Sequence, residues 1–243
     1  MESQKQFKRR FSFEFFPPKT DAGKEKLQTV RGQLAEVDPD FFSVTFGAGG
    51  STRDRTIETV LNLHQQGIST APHLSCVGGT RQEIRELLDL YRENGVNRIV
   101  ALRGDMPSGM GAAGELRYAN ELVSFIREHS GDTFNLEVAA YPEFHPQART
   151  AEEDLKNFAR KVEAGANSAI TQYFFNPDSY FYFIDRLEKM GVTIPVVPGI
   201  MPIVNFSNLT RFSDMCGAEI PRWIRKQLEA YGDDTDSIRK FGE

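Results

Sequence analysis

The chain is short of cysteine, has no long apolar run, carries no excess of basic charge, and lacks the common hydrolase and metal signatures. Each absence narrows the field. Its two cysteines, Cys76 and Cys216, are far apart and in no Cys-x-x-Cys pattern, which excludes a disulfide scaffold and argues for a reducing cytoplasm. No stretch approaches the ~18 apolar residues of a membrane helix, and the polar opening MESQKQFKRR is not a signal peptide. A net charge of −5 leaves no basic surface for nucleic acid. The four histidines (His64, His73, His129, His145) show no HExxH or paired-ligand spacing, so no metal is expected. There is no G-x-S-x-G elbow. Gly47-Ala-Gly-Gly50 lacks the Lys-Ser/Thr of a P-loop. Gly109-Met-Gly-Ala-Ala-Gly114 matches G-x-G-x-x-G, but Met106-Pro107-Ser108 separates it from the preceding strand, where a dinucleotide fingerprint would begin at once.

What is present is a repeat of architecture. Apolar strand-like runs begin near Phe11, Phe41, Thr70, Arg98, Asn135, Ser168 and Pro195. They are roughly 30 residues apart, the size of one strand, one helix and their loops. Thr80-Arg-Gln-Glu83 and Thr150-Ala-Glu-Glu153 have the form of capping boxes, and Gly67, Gly95, Gly165 and Gly191 fall where helices should stop. Regular alternation predicts an α/β fold with a parallel sheet, either a (β/α)8 barrel or an open doubly wound sheet. No linker divides the chain, so residues 1–243 are expected to form a single barrel domain.

The strand faces favour the barrel. Ser43, Thr45 and Gly47 share one parity, as do Ala71, His73 and Ser75; Ala101, Arg103 and Asp105; Glu137, Ala139 and Tyr141; and Ile170, Gln172 and Phe174. A sheet buried on both faces would be almost uniformly apolar, whereas here one face is repeatedly small or polar. Polar residues also gather late in each strand, where barrels of the TIM type build their active sites. Only seven strands are visible. After Met201-Pro202 come helical segments at 208–216 and 221–231, then no further apolar run, so the eighth βα unit of a TIM-type barrel is missing and the reading frame is expected to continue past Glu243.

One carboxylate stands out. In Phe11-Ser-Phe-Glu-Phe-Phe-Pro-Pro18, alternation sets Phe11, Phe13 and Phe15 on one face and Ser12, Glu14 and Phe16 on the other. A Glu there meets a cation, lines a polar cavity, or sits neutral with a raised pKa; the plainer alternative is an edge strand with Glu14 facing water. To donate a proton near neutral pH, the carboxyl should have a pKa raised by burial among the aromatics.

The segments Phe11–Pro18, Phe42-Ser-Val-Thr-Phe-Gly47, Ala71-Pro-His-Leu-Ser-Cys76, Ala101-Leu-Arg-Gly-Asp105, Ala139-Ala-Tyr-Pro-Glu143, Ala164-Gly-Ala-Asn167, Ile170-Thr-Gln-Tyr-Phe-Phe175 and Pro198-Gly-Ile-Met-Pro202 occur in that order. Together they closely resemble the bacterial 5,10-methylenetetrahydrofolate reductase family over nearly the whole chain. The resemblance implies a cytoplasmic flavoprotein oxidoreductase of one-carbon metabolism, feeding methionine biosynthesis. In that family FAD passes a hydride from NADH or NADPH to the folate substrate in a ping-pong cycle, giving 5-methyltetrahydrofolate. It implies Glu14 as the general acid that helps open the five-membered ring, and Asp105 as the carboxylate beside flavin and pterin that favours the 5-iminium cation.

The resemblance carries further residues. For FAD it implies Thr45, Phe46, Ala48, His73, Arg103, Gly104, Asp105, Ala119, Tyr141, His145, Ala148, Asp154, Asn157, Arg160 and Lys161. The basic pair suits a diphosphate, although composition alone would read Arg160-Lys161 as a solvated helix face. For folate it implies Asp105, Gln172, Asn208 (where the family has glutamine) and Phe212. It also implies a homo-oligomer and small-molecule partners only. Family members continue into an eighth strand with a Tyr-Thr-Leu-Asn-Arg-like segment, absent here, as is the regulatory domain of eukaryotic relatives. Two other functions fit a pterin-binding barrel: methyl transfer to cobalamin without flavin, or folate binding without turnover if the chain natively ends at Glu243. The choice between NADH and NADPH is not legible in the residues.

Overall fold

A computed structural model of the chain describes residues 1–46, 50–104 and 114–243. Strands and helices alternate as the spacing predicts. After a short helix α1 (Glu2–Lys5) come β1 (Ser12–Phe15), α2 (Asp21–Ala35), β2 (Phe41–Val44), α3 (Gly50–Gln65), β3 (Thr70–Ser75), α4 (Arg81–Glu93) and β4 (Arg98–Leu102). There follow α5 (Ala119–Ser130), β5 (Asn135–Ala140), α6 (Ala151–Glu163), β6 (Ser168–Thr171), α7 (Pro177–Lys189) and β7 (Val196–Val197). Three helices close the chain: α8 (Phe206–Cys216), α9 (Arg222–Tyr231) and α10 (Thr235–Gly242). Every described strand pair is parallel, and neighbours in the sheet are neighbours in the chain. The expected caps form: Thr80 and Glu83 make a reciprocal box at α4, and Thr150 Oγ1 accepts from the Glu153 N–H at α6. Helices α3, α4, α6 and α7 stop just before Gly67, Gly95, Gly165 and Gly191.

The described residues group into two compact units. The larger comprises Lys8–Val138 and Lys161–Ser168, and the other Met1–Phe7, Ala139–Arg160 and Ala169–Glu243. In the larger unit the phenylalanines of β1 do what their parity demands. Phe13 and Phe15 both stack on Phe42 of β2, with ring centroids 5.9 and 5.3 Å apart, while Glu14 occupies the other face, in register with Ser43. On that other face a charge pair is buried. Arg98 (the first residue of β4) pairs with Glu137 of β5, whose carboxylate also accepts from Ser168 Oγ and from Asn135 Nδ2 at 3.0 Å. The Arg98 guanidinium lies over the Phe41 ring, 4.5 Å from its centre.

The register corrects one expectation. His73 aligns with Val100 and Val100 with Glu137, whereas Ala101 aligns with Leu74 and Val138. The polar face therefore carries Arg98, Val100 and Leu102 of β4, not Ala101. Alternation could not be carried to Arg103, because β4 ends at Leu102 and the chain turns at Gly104 with φ +84°.

The smaller unit holds two features that the sequence reading passed over, α1 and α10. Helix α1, at the polar N-terminus, is strapped to α7: the Ser3 hydroxyl and N–H donate to Glu188 Oε1 at 2.6 and 2.8 Å, which holds that carboxyl down at about 2. Gln4 donates from Nε2 to Ile194 O (3.0 Å) and accepts at Oε1 from the Val196 N–H (2.9 Å). Its amide thus satisfies, at the start of β7, the two backbone groups that a neighbouring strand would otherwise take. In α7 the apolar residues Tyr180, Phe183, Ile184 and Leu187 are buried, as core packing requires. Helices α8, α9 and α10 enclose a cluster of Ile203, Leu209, Ile220, Ile224, Leu228 and Ile238.

The Arg98–Glu137 pair generates a stability prediction. Glu137→Gln leaves a buried guanidinium without its counter-charge and should cost about 3–5 kcal/mol in urea unfolding. Arg98→Met combined with Glu137→Leu should recover most of that loss, because both charges leave together.

Candidate active site

Glu14 is the third residue of β1 and His73 the fourth of β3, with β2 between them. Glu14 aligns with Ser43 and Ser43 with Ala71, so only small side chains fill the row that separates the two groups. Glu14 Oε2 consequently reaches to 3.4 Å from His73 Nε2. The contact falls short of a well-formed hydrogen bond, and the buried Nε2 makes no other. The side chain of His73 is 9% exposed and that of Glu14 50% exposed.

This geometry reverses the expected sign of the Glu14 shift. Crowding by surrounding atoms pushes the carboxyl up, but the facing imidazole, by proximity and charge, outweighs it and holds the group below the ordinary glutamate value. The expectation of a raised pKa assumed that the neighbouring phenylalanines desolvate the carboxylate. They stack on Phe42, on the opposite face of β1, and leave Glu14 to a histidine on β3. Glu14 is therefore neither a neutral buried acid nor a side chain simply facing water.

The other residues singled out from the larger unit lie around strand ends. Thr45 follows β2, with its N–H donating to Phe15 O (2.9 Å) and its carbonyl accepting from Thr56 Oγ1 (2.9 Å); Phe46 comes next and is half-buried. Ala48 and Asp105 lie outside the described residues. Ala119 opens α5, and Lys161 lies in the last turn of α6. At the end of β4, the Arg103 carbonyl accepts from Ser75 Oγ at 2.8 Å and from the Val77 N–H at 3.0 Å. Arg103 Nε donates to Gly104 O at 3.2 Å. A β-carbon on Gly104 would sit 1.9 Å from Ser75 Oγ, so both the positive φ and the close approach require glycine. Ser75 was grouped by parity but given no role; what fixes its importance is a contact to a residue 28 positions away, which no local pattern shows.

In the smaller unit the residues after β5 form a turn tied to α6. Tyr141 and His145 pack edge-to-face at 4.4 Å, the His145 N–H donates to Asp154 Oδ2 at 3.0 Å, and the Ala148 N–H donates back to His145 O. One helical turn on, Arg160 donates to Asn157 Oδ1 at 2.7 Å and is exposed, so its guanidinium fork is presented to solvent. Gln172, just past β6, accepts at Oε1 from the Tyr173 N–H at 3.0 Å. Asn208 and Phe212 are four residues apart on α8 and share one helix face. That helix is capped by Asn205 and tied to Tyr173, whose hydroxyl lies 3.0 Å from Ser213 Oγ.

Glu143 drew no role from the sequence although it lies in a quoted segment. Its Oε2 accepts from the Glu219 N–H at 2.8 Å, its Oε1 is buried without a partner, and burial pushes its carboxyl up. It lines a small cavity with Tyr141, Gln172, Tyr173 and Cys216. Among the described residues no cluster of three or more His, Cys, Asp or Glu side chains has the form of a metal site, and no helix is long and apolar enough to cross a membrane.

Gly104→Ala tests the turn after β4. Strain at a positive φ, together with displacement of Ser75, should lower stability by about 1–3 kcal/mol in thermal or urea unfolding. Adding Ser75→Gly should restore part of the loss but not the share owed to φ; a single variant as stable as the parent would contradict this geometry.

The profile of the family described as methylenetetrahydrofolate reductase matches residues 1–243. The 5,10-methylenetetrahydrofolate reductases of Salmonella typhimurium and Escherichia coli are each 42% identical over 232 residues, covering 95% of this chain and 77% of theirs. The methylenetetrahydrofolate reductase (NADH) 1 of Zea mays is 37% identical over 246 residues, covering 96% of this chain and 42% of its own. In fold, the chain is similar to a solved protein from Clostridium thermocellum described as binding two copies of 5-methyl-5,6,7,8-tetrahydrofolic acid. The TM-score is 0.65 at 17% identity, covering 99% of this chain and 83% of that one.

Proposed function

The chain belongs to the methylenetetrahydrofolate reductase family, and on that premise we propose that it reduces 5,10-methylenetetrahydrofolate to 5-methyltetrahydrofolate in the cytoplasm, drawing on NADH or NADPH through FAD. Its relatives are enzymes named for this reduction. The parallel, chain-ordered strands and the fold likeness support a barrel of the TIM type. The observation that carries the mechanism is the carboxylate of Glu14 opposite His73, half-exposed near the end of its strand and available to a substrate.

The donor set suits a flavin dinucleotide. The exposed fork of Arg160 is apt for a diphosphate, with Lys161 as a second cation, and the Tyr141–His145 pair offers aromatic faces to a ring system. His73 and Gly104 belong to the same family set. Thr45, Phe46, Ala48, Arg103, Asp105, Ala119, Ala148, Asp154 and Asn157 complete the set that the family pattern supplies. When bound, FAD supplies hydride transfer between the nicotinamide and the folate.

The chain's own residues hold the substrate and move its proton. Gln172 offers an amide, with donor and acceptor, to the similarly patterned edge of a pterin. Asn208 and Phe212 present a polar and an aromatic group from one face of α8. Glu14 protonates N10 of the folate, so that the bond from N10 to the bridging carbon breaks with its electron pair on N10, and the N5 lone pair forms the iminium. Asp105, by its negative charge, favours that cation. A positioned general acid contributes about 10²–10⁴ in rate.

Spectroscopy tests the reading. The purified protein should be yellow, with flavin absorbance near about 450 nm, bleached by NADH or NADPH and restored by methylenetetrahydrofolate. Colourless protein that moves methyl groups to cobalamin would replace the reductase reading. Yellow protein that bleaches but is not restored would reduce it to folate or flavin binding without turnover.

A further inference from the structure

The resting arrangement poses a problem for a general acid. Each turnover consumes one proton at N10, yet the group that must deliver it faces a histidine that keeps it ionised. We propose that His73 is the proton reserve of Glu14, returning a proton from its Nε2 to Glu14 Oε2 each time Glu14 has protonated the folate. This rests on the reductase reading above and adds a positioning residue to it. The imidazolium N–H bond breaks with its electron pair kept on nitrogen, the carboxylate gains an O–H bond, and the neutral imidazole is recharged by solvent through the exposed carboxyl.

The geometry carries the inference. The two atoms are 3.4 Å apart, a gap that a small side-chain rotation closes to hydrogen-bond length, and catalytic contacts commonly tighten when substrate arrives. Nε2 is buried and bonded to nothing else, so Glu14 is the group placed to exchange its proton. Exposure divides the work: Glu14 at 50% meets substrate and solvent, and His73 at 9% meets Glu14. Among the described residues, the charges on the neighbouring strands are engaged elsewhere. On β2 the facing groups are neutral, Ser43 in the Glu14 row and Thr45 beyond it. On β4, Val100 aligns with His73, and Arg103 beyond the strand directs Nε to the Gly104 carbonyl. On β5, Glu137 is held by Arg98. Asp105 lies outside the described residues.

The first test needs no turnover. In ¹⁵N-histidine NMR of the purified full chain, with His73 assigned by the signal lost in His73→Gln, removing the facing carboxylate in Glu14→Gln should move the His73 midpoint to lower pH. Coincident midpoints in the two proteins would overturn the inference. The second test is the pH profile of flavin recovery on adding methylenetetrahydrofolate. In the parent the alkaline limb should lie in the imidazole range, about 6.5 or above, and in His73→Gln it should move towards the carboxyl range, about 4.3. A purely structural histidine would lower the rate without moving the limb, which would also overturn the inference. A parent protein whose flavin never recovers with methylenetetrahydrofolate would instead overturn the reductase reading, and the NMR comparison would still report on the pair.

Discussion

A carboxylate on the packed face of a sheet needs a cation, and this chain meets that need twice, once between β4 and β5 and once between β1 and β3. Arg98 of β4 holds Glu137 of β5, with Ser168, Asn135 and the Phe41 ring completing the shell. His73 of β3 faces Glu14 of β1. The two pairs differ in how fully they are satisfied. The first is dry, multiply bonded and built to stay; the second is half-exposed, loosely spaced and leaves Nε2 without a hydrogen bond. A fully satisfied pair fixes register and moves nothing, whereas an under-satisfied pair at the exposed end can exchange a proton.

The same economy governs what surrounds each group. Ser43 and Ala71 are small, and that is what lets a glutamate on β1 reach a histidine two strands away. Ser75 pins the carbonyl of Arg103, which sets the turn at Gly104 from which residue 105 follows. In the smaller unit, α8 is held by its Asn205 cap and by the Tyr173 hydroxyl, so the face carrying Asn208 and Phe212 is set by contacts on the other side of the helix. Within each unit, neighbouring elements hold the named residues in place.

Much of the fold was legible because it is written in local periodicity. All seven strands begin within a residue or two of the apolar runs, and Thr80 and Thr150 cap the helices they announce. What was not legible depends on partners distant in sequence. The face of β4 is one such case: Arg103 lies beyond Leu102, where alternation stops, and only the pairing with β3 and β5 shows which residues face His73. The sign of the Glu14 shift was inferred from adjacent phenylalanines that pack on the opposite face, while the deciding group is 59 positions away. Helix α1 has no signal in its own residues because its anchor, Glu188, is near the other end of the chain. The candidate site residues came from a family pattern, and what the structure adds is the His73 imidazole beside Glu14.

The central claim is that Glu14 donates the proton for folate reduction, and the two half-reactions measured separately in Glu14→Gln test it most directly. The variant keeps volume and hydrogen-bonding capacity but has no proton to give. Stopped-flow reduction of the flavin by NADH should proceed near the parent rate, since that half needs no acid, while recovery with methylenetetrahydrofolate should slow by about 10²–10⁴. Equal slowing of both halves, or of neither, would contradict the account.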